Sequence, residues 1–199
     1  MHAEEAIPLL ISHFRESVSL NEADIDTILP KLDILTIEKK KFLLQPGQVS
    51  RHMRFIASGC MRSYYVDENS QERTLQLGIE NWWINDLYSY LSQQPSRMYL
   101  QAVENTVLIQ ISKNNLEELF RLVPAFSDFF RIKMQAAYVA LQERTLENMS
   151  ADAYERYTRF RSDYRDIEQR VPQYIIASYL GVTPEFLSHL RKKHAGHLS

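Results

Sequence analysis

The sequence predicts an α+β fold in which an antiparallel β-barrel or jelly roll is followed by a long helix and a C-terminal all-α helix-turn-helix unit. Three observations carry this prediction: a helical first segment, a central run of short strands between turn residues, and a helical remainder. The 199 residues are 45% apolar and 24% charged, which is the composition of a globular chain that buries a core.

The first two parts of the chain differ in their apolar period. Residues 6–32 repeat apolar side chains every three or four positions, which predicts helix. The period then shortens, and the expected strands are 34–37, 39–44, 53–57, 60–66, 73–77, 98–103 and 106–111. A strand end and a short helix are expected over 80–91. Short strands at this close spacing favour a small antiparallel sandwich or barrel within residues 1–123.

The long helix is predicted from Pro124, which suits a first helical turn, to residue 149. It has two apolar stripes, one of Phe130, Met134, Ala137 and Leu141 and one of Phe129, Ile132, Ala136, Val139 and Leu146. A surface helix needs one apolar stripe, so the second favours a partner, most simply the same helix of a second copy. The expected dimer residues are Phe129, Met134, Val139 and Leu141. The alternative is a helix buried within a monomer.

Residues 173–192 fit a twenty-residue helix-turn-helix pattern. Ala177 takes the fifth position, where a small side chain lets two helices approach, and Gly181 takes the turn, where a positive φ is expected. Thr183 is a good N-cap for the second helix, and Pro184 suits its first position. The sequence therefore predicts DNA binding, with a plain helical hairpin as the alternative.

The roles within such a second helix follow from its geometry in the major groove. Glu185, Ser188 and His189 would face base edges near its start. Contacts to phosphates are expected from the basic residues that follow, Arg191, Lys192 and Lys193. The alternative for these three is a solvated C-terminal helix face favoured by the helix dipole.

Charge and cysteine content exclude several classes of protein. Residues 1–123 hold 12 Lys and Arg against 16 Asp and Glu, whereas residues 150–199 hold 8 against 6, so a basic tail follows an acidic body. The single cysteine, Cys60, cannot form an internal disulfide, a cysteine-based zinc site or an iron–sulfur cluster, and we expect it to be a small buried hydrophobe. No apolar run is long enough to span a membrane, so a reducing cytoplasm is the expected location.

An enzyme is not expected, nor is a bound metal or cofactor. Barrel enzymes that use a metal need several histidines and a carboxylate on one cavity, and only His52 of the six histidines falls among the strands. Gly-rich phosphate loops and nucleophile elbows are absent from the sequence.

The whole chain resembles the Crp/Fnr family of bacterial transcription regulators. The resemblance is strongest over residues 170–193 and over residues 80–91, and the second segment is similar to the branch found among Bacteroidetes. It implies a cyclic-nucleotide-binding-like sensor over 1–123, a dimerisation helix over 124–149 and a DNA-binding domain over 150–199. It further implies a homodimer on double-stranded DNA, with half-sites about 34 Å apart and RNA polymerase as a candidate partner.

The phosphate cassette of the family's cyclic-nucleotide binders is altered. Its Gly-Glu pair corresponds here to Asn85-Asp86 and its Arg-Ser pair to Ser96-Arg97, which puts Arg97 on the opposite strand face unless the register shifts by one residue. We therefore expect that cyclic AMP and cyclic GMP are not the effectors. An unknown small effector would meet Tyr64, Trp83, Asn85, Asp86, Arg97 and Tyr99. Trp82 and Trp83 have a simpler role as large aromatics that close one end of the barrel.

A second function stays open from the sequence. Six residues of the sequence follow Lys193, so we expect the family's β-hairpin wing to be absent or replaced by the tail from His194 to His197, and the total charge is −2. Both observations fit a non-enzymatic ligand-sensing or protein-interaction module that has lost DNA binding.

Overall fold

The structure is a computed structural model that describes residues 3–196, with side chains described for residues 5–192. The α-helices are α1 (Ala3–Arg15), α2 (Glu22–Ile28), α3 (Leu87–Ser92), α4 (Lys113–Leu122), α5 (Pro124–Ser150), α6 (Ala153–Asp163), α7 (Arg165–Arg170), α8 (Gln173–Leu180) and α9 (Pro184–Gly196). The strands are β1 (Leu32–Ile37), β2 (Phe42–Leu44), β3 (His52–Ser58), β4 (Met61–Val66), β5 (Glu72–Gly78), β6 (Trp83–Ile84), β7 (Tyr99–Ala102) and β8 (Thr106–Ser112).

The strands form two antiparallel sheets rather than a closed barrel. The first sheet has the order β1-β8-β3-β6, and the second has the order β2-β7-β4-β5. Of the two alternatives that the sequence predicted, the described strands form the sandwich of two sheets and not a closed barrel. Two of the edge strands, β2 and β6, are only three and two residues long, which leaves few backbone groups to pair across a seam.

Strand alternation separates two apolar layers on the first sheet. One face of β3 and β8 contributes Ile56 and Leu108 to a core between the sheets. The other face contributes Met53, Phe55 and Ile109 to a core beneath α1, α4 and the start of α5. The second core is rich in aromatic residues that meet edge to face, among them Phe14, Phe126, Phe129 and Phe130.

Helix α5 is buried only in its first third. Phe129 is 0% exposed and packs against Phe14 and Trp83, so its prediction as a dimer residue is wrong: its own subunit already covers it. Met134 is partly buried against the same core. By contrast Val139 is 51% exposed and Leu141 is 53% exposed, and the helix continues with little cover to Ser150.

The C-terminal helices share a hydrophobic cluster with the sheets. Cys60, Leu77 and Val103 of the strand region pack with side chains of α6 to α9. Helix α8 lies against β5, and the two are joined by hydrogen bonds described below. The last four helices are therefore fixed against the rest of the chain by a common core.

Candidate nucleic-acid interface and ligand cavity

Helices α8 and α9 form the helical pair predicted over residues 173–192. Gly181 ends α8 with a φ of 70°, a backbone conformation that glycine adopts without strain. Ala177 is fully buried, and its carbonyl accepts a hydrogen bond from the amide of Val182 at 3.0 Å. The hydroxyl of Thr183 accepts from the amide of Phe186 at 3.2 Å, which confirms the predicted N-cap.

Helix α9 turns its apolar side inward and its polar side to solvent. Leu187 and Leu190 are buried in the cluster shared with α6 to α8. The predicted DNA-contacting residues that the structure describes are all exposed, namely Thr183, Glu185, Ser188, His189, Arg191 and Lys192. The side chain of Lys193 lies outside the described residues. One solvent-facing surface of α9 thus carries the base-reading and phosphate-binding candidates together.

The first helix of the pair is hydrogen-bonded to the second sheet. The Ser178 hydroxyl donates to the carbonyl of Glu72 at 2.6 Å and accepts from the amide of Thr74 at 2.9 Å. It also lies 3.0 Å from the Thr74 hydroxyl. These contacts hold α8 along β5, so α9 is presented from a rigid support.

Arg144 of α5 connects three elements at the same junction. Its guanidinium donates to the carbonyls of Thr74 and Leu75 on β5 and to the carbonyl of Tyr179 on α8. It also lies over the ring of Tyr179, with 3.9 Å between the Cζ atom and the ring centroid. A shift of α5 would therefore reach α8 through one side chain.

Arg170 fastens the C-terminal helices to the sheets through two carboxylates; we call this arrangement the Arg170 clasp. Its guanidinium donates to Glu80 at 2.7 and 2.9 Å and to Glu104 at 2.7 and 3.2 Å. Glu80 also accepts from the amide of Gly59 at 2.7 Å. Burial alone would raise the pKa of Glu80, but the hydrogen bonds from Arg170 and the backbone hold that pKa below its usual value.

A cavity of about 710 Å³ lies between the sheets, α5 and the C-terminal helices. Its lining includes Trp82 and Trp83, side chains of α5 such as Met134 and Leu141, and Tyr164 and Tyr179 of the C-terminal helices. A cavity of this size and lining suits a small, largely apolar ligand. Because it touches both α5 and α8, a ligand there would contact the elements that Arg144 joins.

The two residues in the place of the Gly-Glu pair are held by other side chains. Asp86 caps α3 by accepting from the amide of Ser89 at 3.2 Å, and its second oxygen accepts from the Ser96 hydroxyl at 2.5 Å. Asn85 accepts from the Ser50 hydroxyl at 2.6 Å. Both residues line the cavity, but these hydrogen bonds occupy the oxygens that would otherwise accept from a ribose hydroxyl.

Only half of the predicted pocket residues line this cavity. Trp83, Asn85 and Asp86 line it, whereas Tyr64, Arg97 and Tyr99 do not. Tyr64 and Tyr99 stack on each other at 5.0 Å between ring centroids, with the guanidinium of Arg62 4.0 Å from the Tyr64 ring. Ser63, the neighbour of Tyr64 on β4, lines the cavity instead, because successive side chains of a strand point to opposite faces, and so does Met98, which directly precedes β7. Arg97 is exposed beside the buried Ser96.

Cys60 is fully buried and forms no disulfide within the described residues. Burial, with Glu104 nearby, raises the pKa of its thiol to about 12. The thiolate that redox chemistry requires is therefore scarce at neutral pH.

No group of three or more His, Cys, Asp or Glu side chains within the described part of the chain is arranged to hold a metal ion. Between residues 3 and 196, no helix is both long and apolar enough to cross a membrane.

Neither the contacts of Arg144 nor those of Arg170 have a signature in the sequence, where Arg170 belongs only to the segment 170–193. The clasp joins positions 66 and 90 residues apart, and Arg144 bonds to carbonyls that carry no side-chain signature. No local spacing signals contacts of this kind.

Comparisons with known proteins show which solved structures share this fold. Residues 34–122 match the family described as the cyclic nucleotide-binding domain. No curated protein matches the chain in sequence. The fold is similar to that of CLP, a c-di-GMP-responsive global regulator of Xanthomonas campestris, with 14% identity, a TM-score of 0.72, and coverage of 89% of this chain and 93% of that one.

Two further solved structures share the architecture. FixK2 from Bradyrhizobium japonicum is 16% identical with a TM-score of 0.67, over 83% of this chain and 85% of its own. The catabolite activator protein of Thermus thermophilus is 19% identical with a TM-score of 0.55, over 90% of this chain and 85% of its own. The antiparallel sheets and the helices that follow are thus a fold shared with Crp/Fnr regulators.

Proposed function

We propose that this protein is a DNA-binding transcription regulator of Crp/Fnr type, without enzymatic activity. The observation that carries the proposal is the exposed polar face of α9 above buried Leu187 and Leu190. A second helix of such a pair reads the major groove with its outward side chains. In this proposal residues 1–123 are the sensor, 124–149 the dimerisation helix and 150–199 the DNA-binding domain, and the Trp82-Trp83 segment supports the Bacteroidetes-type branch.

The proposed regulator is a homodimer built on α5. Ile132, Val139 and Leu146 are spaced seven residues apart and therefore lie on one side of the helix, away from its own sheets. All three are exposed, Leu146 at 65%. A twofold pairing of this stripe would bury it and would offer two copies of α9 to successive turns of one duplex. RNA polymerase is a candidate partner of the bound dimer.

Selection of genomic DNA fragments by the purified full-length protein tests the proposal. A twofold symmetric site should be enriched at low salt, with half-sites about one helical turn apart. Enrichment of no sequence, together with no shift of random duplex DNA at low salt, would refute DNA binding.

Two substitutions on α9 should separate base reading from phosphate binding. His189→Ala should change the preferred base at one position of each half-site, because His189 lies on the exposed face near the helix start. Arg191→Ala should weaken binding to every duplex and flatten the slope of log affinity against log salt by about one. Fluorescence anisotropy on selected and scrambled duplexes measures both. Identical effects of the two substitutions would contradict this division of roles.

The effector is proposed to be a small, largely apolar molecule that binds in the 710 Å³ cavity. We expect that neither cyclic AMP nor cyclic GMP binds at micromolar concentration. Asp86 and Asn85 are engaged with Ser96 and Ser50, and Arg97 is exposed, so a cyclic phosphate would lack its arginine. Isothermal titration calorimetry of each nucleotide against the protein checks this, and a micromolar dissociation constant would overturn it.

The alternative is a ligand-sensing or protein-interaction module without DNA binding. The tight docking of α8 on β5 through Ser178 and of the C-terminal helices through Arg170 favours it, since such a unit could act as a fixed surface. The fragment selection separates the two: the module would bind no duplex at any salt concentration.

A further inference from the structure

A second concave surface lies beside the exposed face of α9, and we call it the basic groove. It has a volume of about 710 Å³ and is formed by α6, α7, the start of α8 and α9. The side chains that matter for its chemistry are Arg161, Arg165, Gln173, Ser188, Arg191 and Lys192. Four of these six are cationic, and they come from three different helices and from both sides of the groove.

The positive charge of the groove is only slightly compensated. Its one carboxylate, Glu168, accepts from the Tyr157 hydroxyl at 2.9 Å and lies 3.2 Å from the Arg161 guanidinium. Within the described part of the chain, Arg165, Arg191 and Lys192 form no ion pair. All three are exposed. The groove therefore has a surplus of cations that have no ion-pair partner among residues 5–192.

The start of α8 adds amide donors at the same place. Helix α8 begins at Gln173, and its N-cap residue, Pro172, provides no side-chain hydrogen bond to the first turn. The amides of Ile175 and Ile176 donate to the Pro172 carbonyl at 3.0 and 3.3 Å, so the donors of the positive helix end at the groove are the amides of Gln173 and Tyr174. Both Pro172 and Gln173 line the groove. Amides and guanidinium groups that converge in this way bind phosphate oxygens well.

We propose that the basic groove holds the DNA backbone beside the major groove that α9 enters, with Arg161 and Arg165 as phosphate contacts additional to those of α9. The inference rests on the proposed DNA binding and deepens it. Ser188 and Lys192 belong both to the exposed face of α9 and to the groove lining, so a strand that flanks α9 runs along the groove. These contacts fix the position of the duplex and carry no base preference.

The chain offers a sharp test with a matched control. Arg165→Gln removes a cation that has no ion pair in the described structure, and Arg161→Gln with Arg165→Gln removes both proposed contacts. Arg121→Gln, at an exposed site in the last turn of α4, removes the same charge far from the groove. Anisotropy titrations of the full-length protein would use the selected duplex and a random duplex in about 50 to 300 mM KCl.

The single substitution should weaken binding to both duplexes about five- to tenfold at 0.1 M salt and flatten the salt slope by about one, and the double substitution by about two. The ratio of the two affinities should not change. Slopes equal to those of wild type and of Arg121→Gln would refute the basic groove while DNA binding stands. Absence of any binding by the wild type at 50 mM salt would instead refute the proposed function, and this inference with it.

A free phosphate ester is the other source of the same chemistry. Calorimetric titration of inorganic phosphate into the wild type and into Arg165→Gln, both without DNA, should give the same result for the two proteins. Submillimolar binding abolished by that substitution would assign the groove to a free anion and overturn the assignment to the DNA backbone.

Discussion

The double substitution Val139→Glu with Leu146→Glu should convert the protein from a dimer into a monomer of 23.4 kDa. Both side chains are more than half exposed on one stripe of α5 and contribute nothing to their own subunit's core. In the proposed dimer each glutamate would be buried in an apolar seam, at a cost of about 2 kcal/mol. Because both subunits carry both substitutions, the dimer would bury four such glutamates, and a total cost of about 8 kcal/mol raises its dissociation constant about a millionfold. Light scattering across a concentration series measures the change.

The matched control uses the preceding residue at each position. Tyr138→Glu with Thr145→Glu places the same two charges at the same seven-residue spacing, rotated by about 100° around the helix. These side chains are exposed too, so this variant should remain a dimer. DNA affinity should fall with the first pair and not with the second. If both variants stay dimeric, the interface lies elsewhere than on α5.

Breaking the Arg170 clasp should loosen the C-terminal helices from the sheets. Arg170→Gln leaves Glu80 and Glu104, both about one-third exposed, without the guanidinium that separates them. Loss of four hydrogen bonds and exposure of two neighbouring carboxylates should cost about 1 to 2 kcal/mol, after allowance for solvent screening. For a chain of this length the melting temperature should fall by about 2 to 8 °C. Calorimetry gives the stability.

Hydrogen exchange measures the local effect: the amides of α8 should exchange faster in Arg170→Gln than the loss of global stability alone would cause. Arg159→Gln is the control, because it breaks an exposed ion pair with Glu147 and should leave the melting temperature close to that of wild type. Adding Glu80→Gln to Arg170→Gln should restore part of the loss by removing the repulsion between carboxylates. Stability unchanged from wild type in Arg170→Gln would show that the clasp does not hold the two parts together.

The clasp also sets a pH dependence. The folded-state pKa of Glu80 is below its ordinary value, so its contribution to stability is present above the ordinary carboxyl pKa and is lost as pH falls through the folded-state pKa. At pH 7 the clasp is closed. Arg170→Gln should therefore differ from wild type most at neutral pH and least in acid.

Most helices and strands were predictable from the sequence, because caps, turns and apolar periodicity depend on neighbouring residues. Three predicted features depend on residues within a few positions: the helix over 124–149, the turn at Gly181 and the cap at Thr183. The structure has α5 over Pro124–Ser150, a positive φ at Gly181 and a hydrogen bond to the Thr183 hydroxyl. The strand positions followed from alternation for the same reason. How the strands join depends on pairing between residues that are distant in sequence. The sequence left a sandwich and a barrel open, and the structure has two sheets.

The residues of the candidate site were harder to predict, because they depend on which face of each strand packs against which helix. Tyr64 and Tyr99 satisfied a pattern of aromatic residues, but their side chains lie on the face opposite to the one that lines the cavity. Phe129 satisfied a helical stripe, but the aromatic core beneath α1 already covers it. A stripe on a helix shows that something covers it and does not show what.

The chain by itself determined the order of helices and strands, the capped helical pair and the polar face of α9, because caps, turns and periodicity act over a few residues. Only the folded structure decided that Arg170 meets Glu80 and Glu104, that Arg144 joins three elements, and that Asp86 and Asn85 are held by serines. Those contacts bring together residues up to 90 positions apart. Their partners are chosen by packing of the whole molecule, which no local pattern encodes.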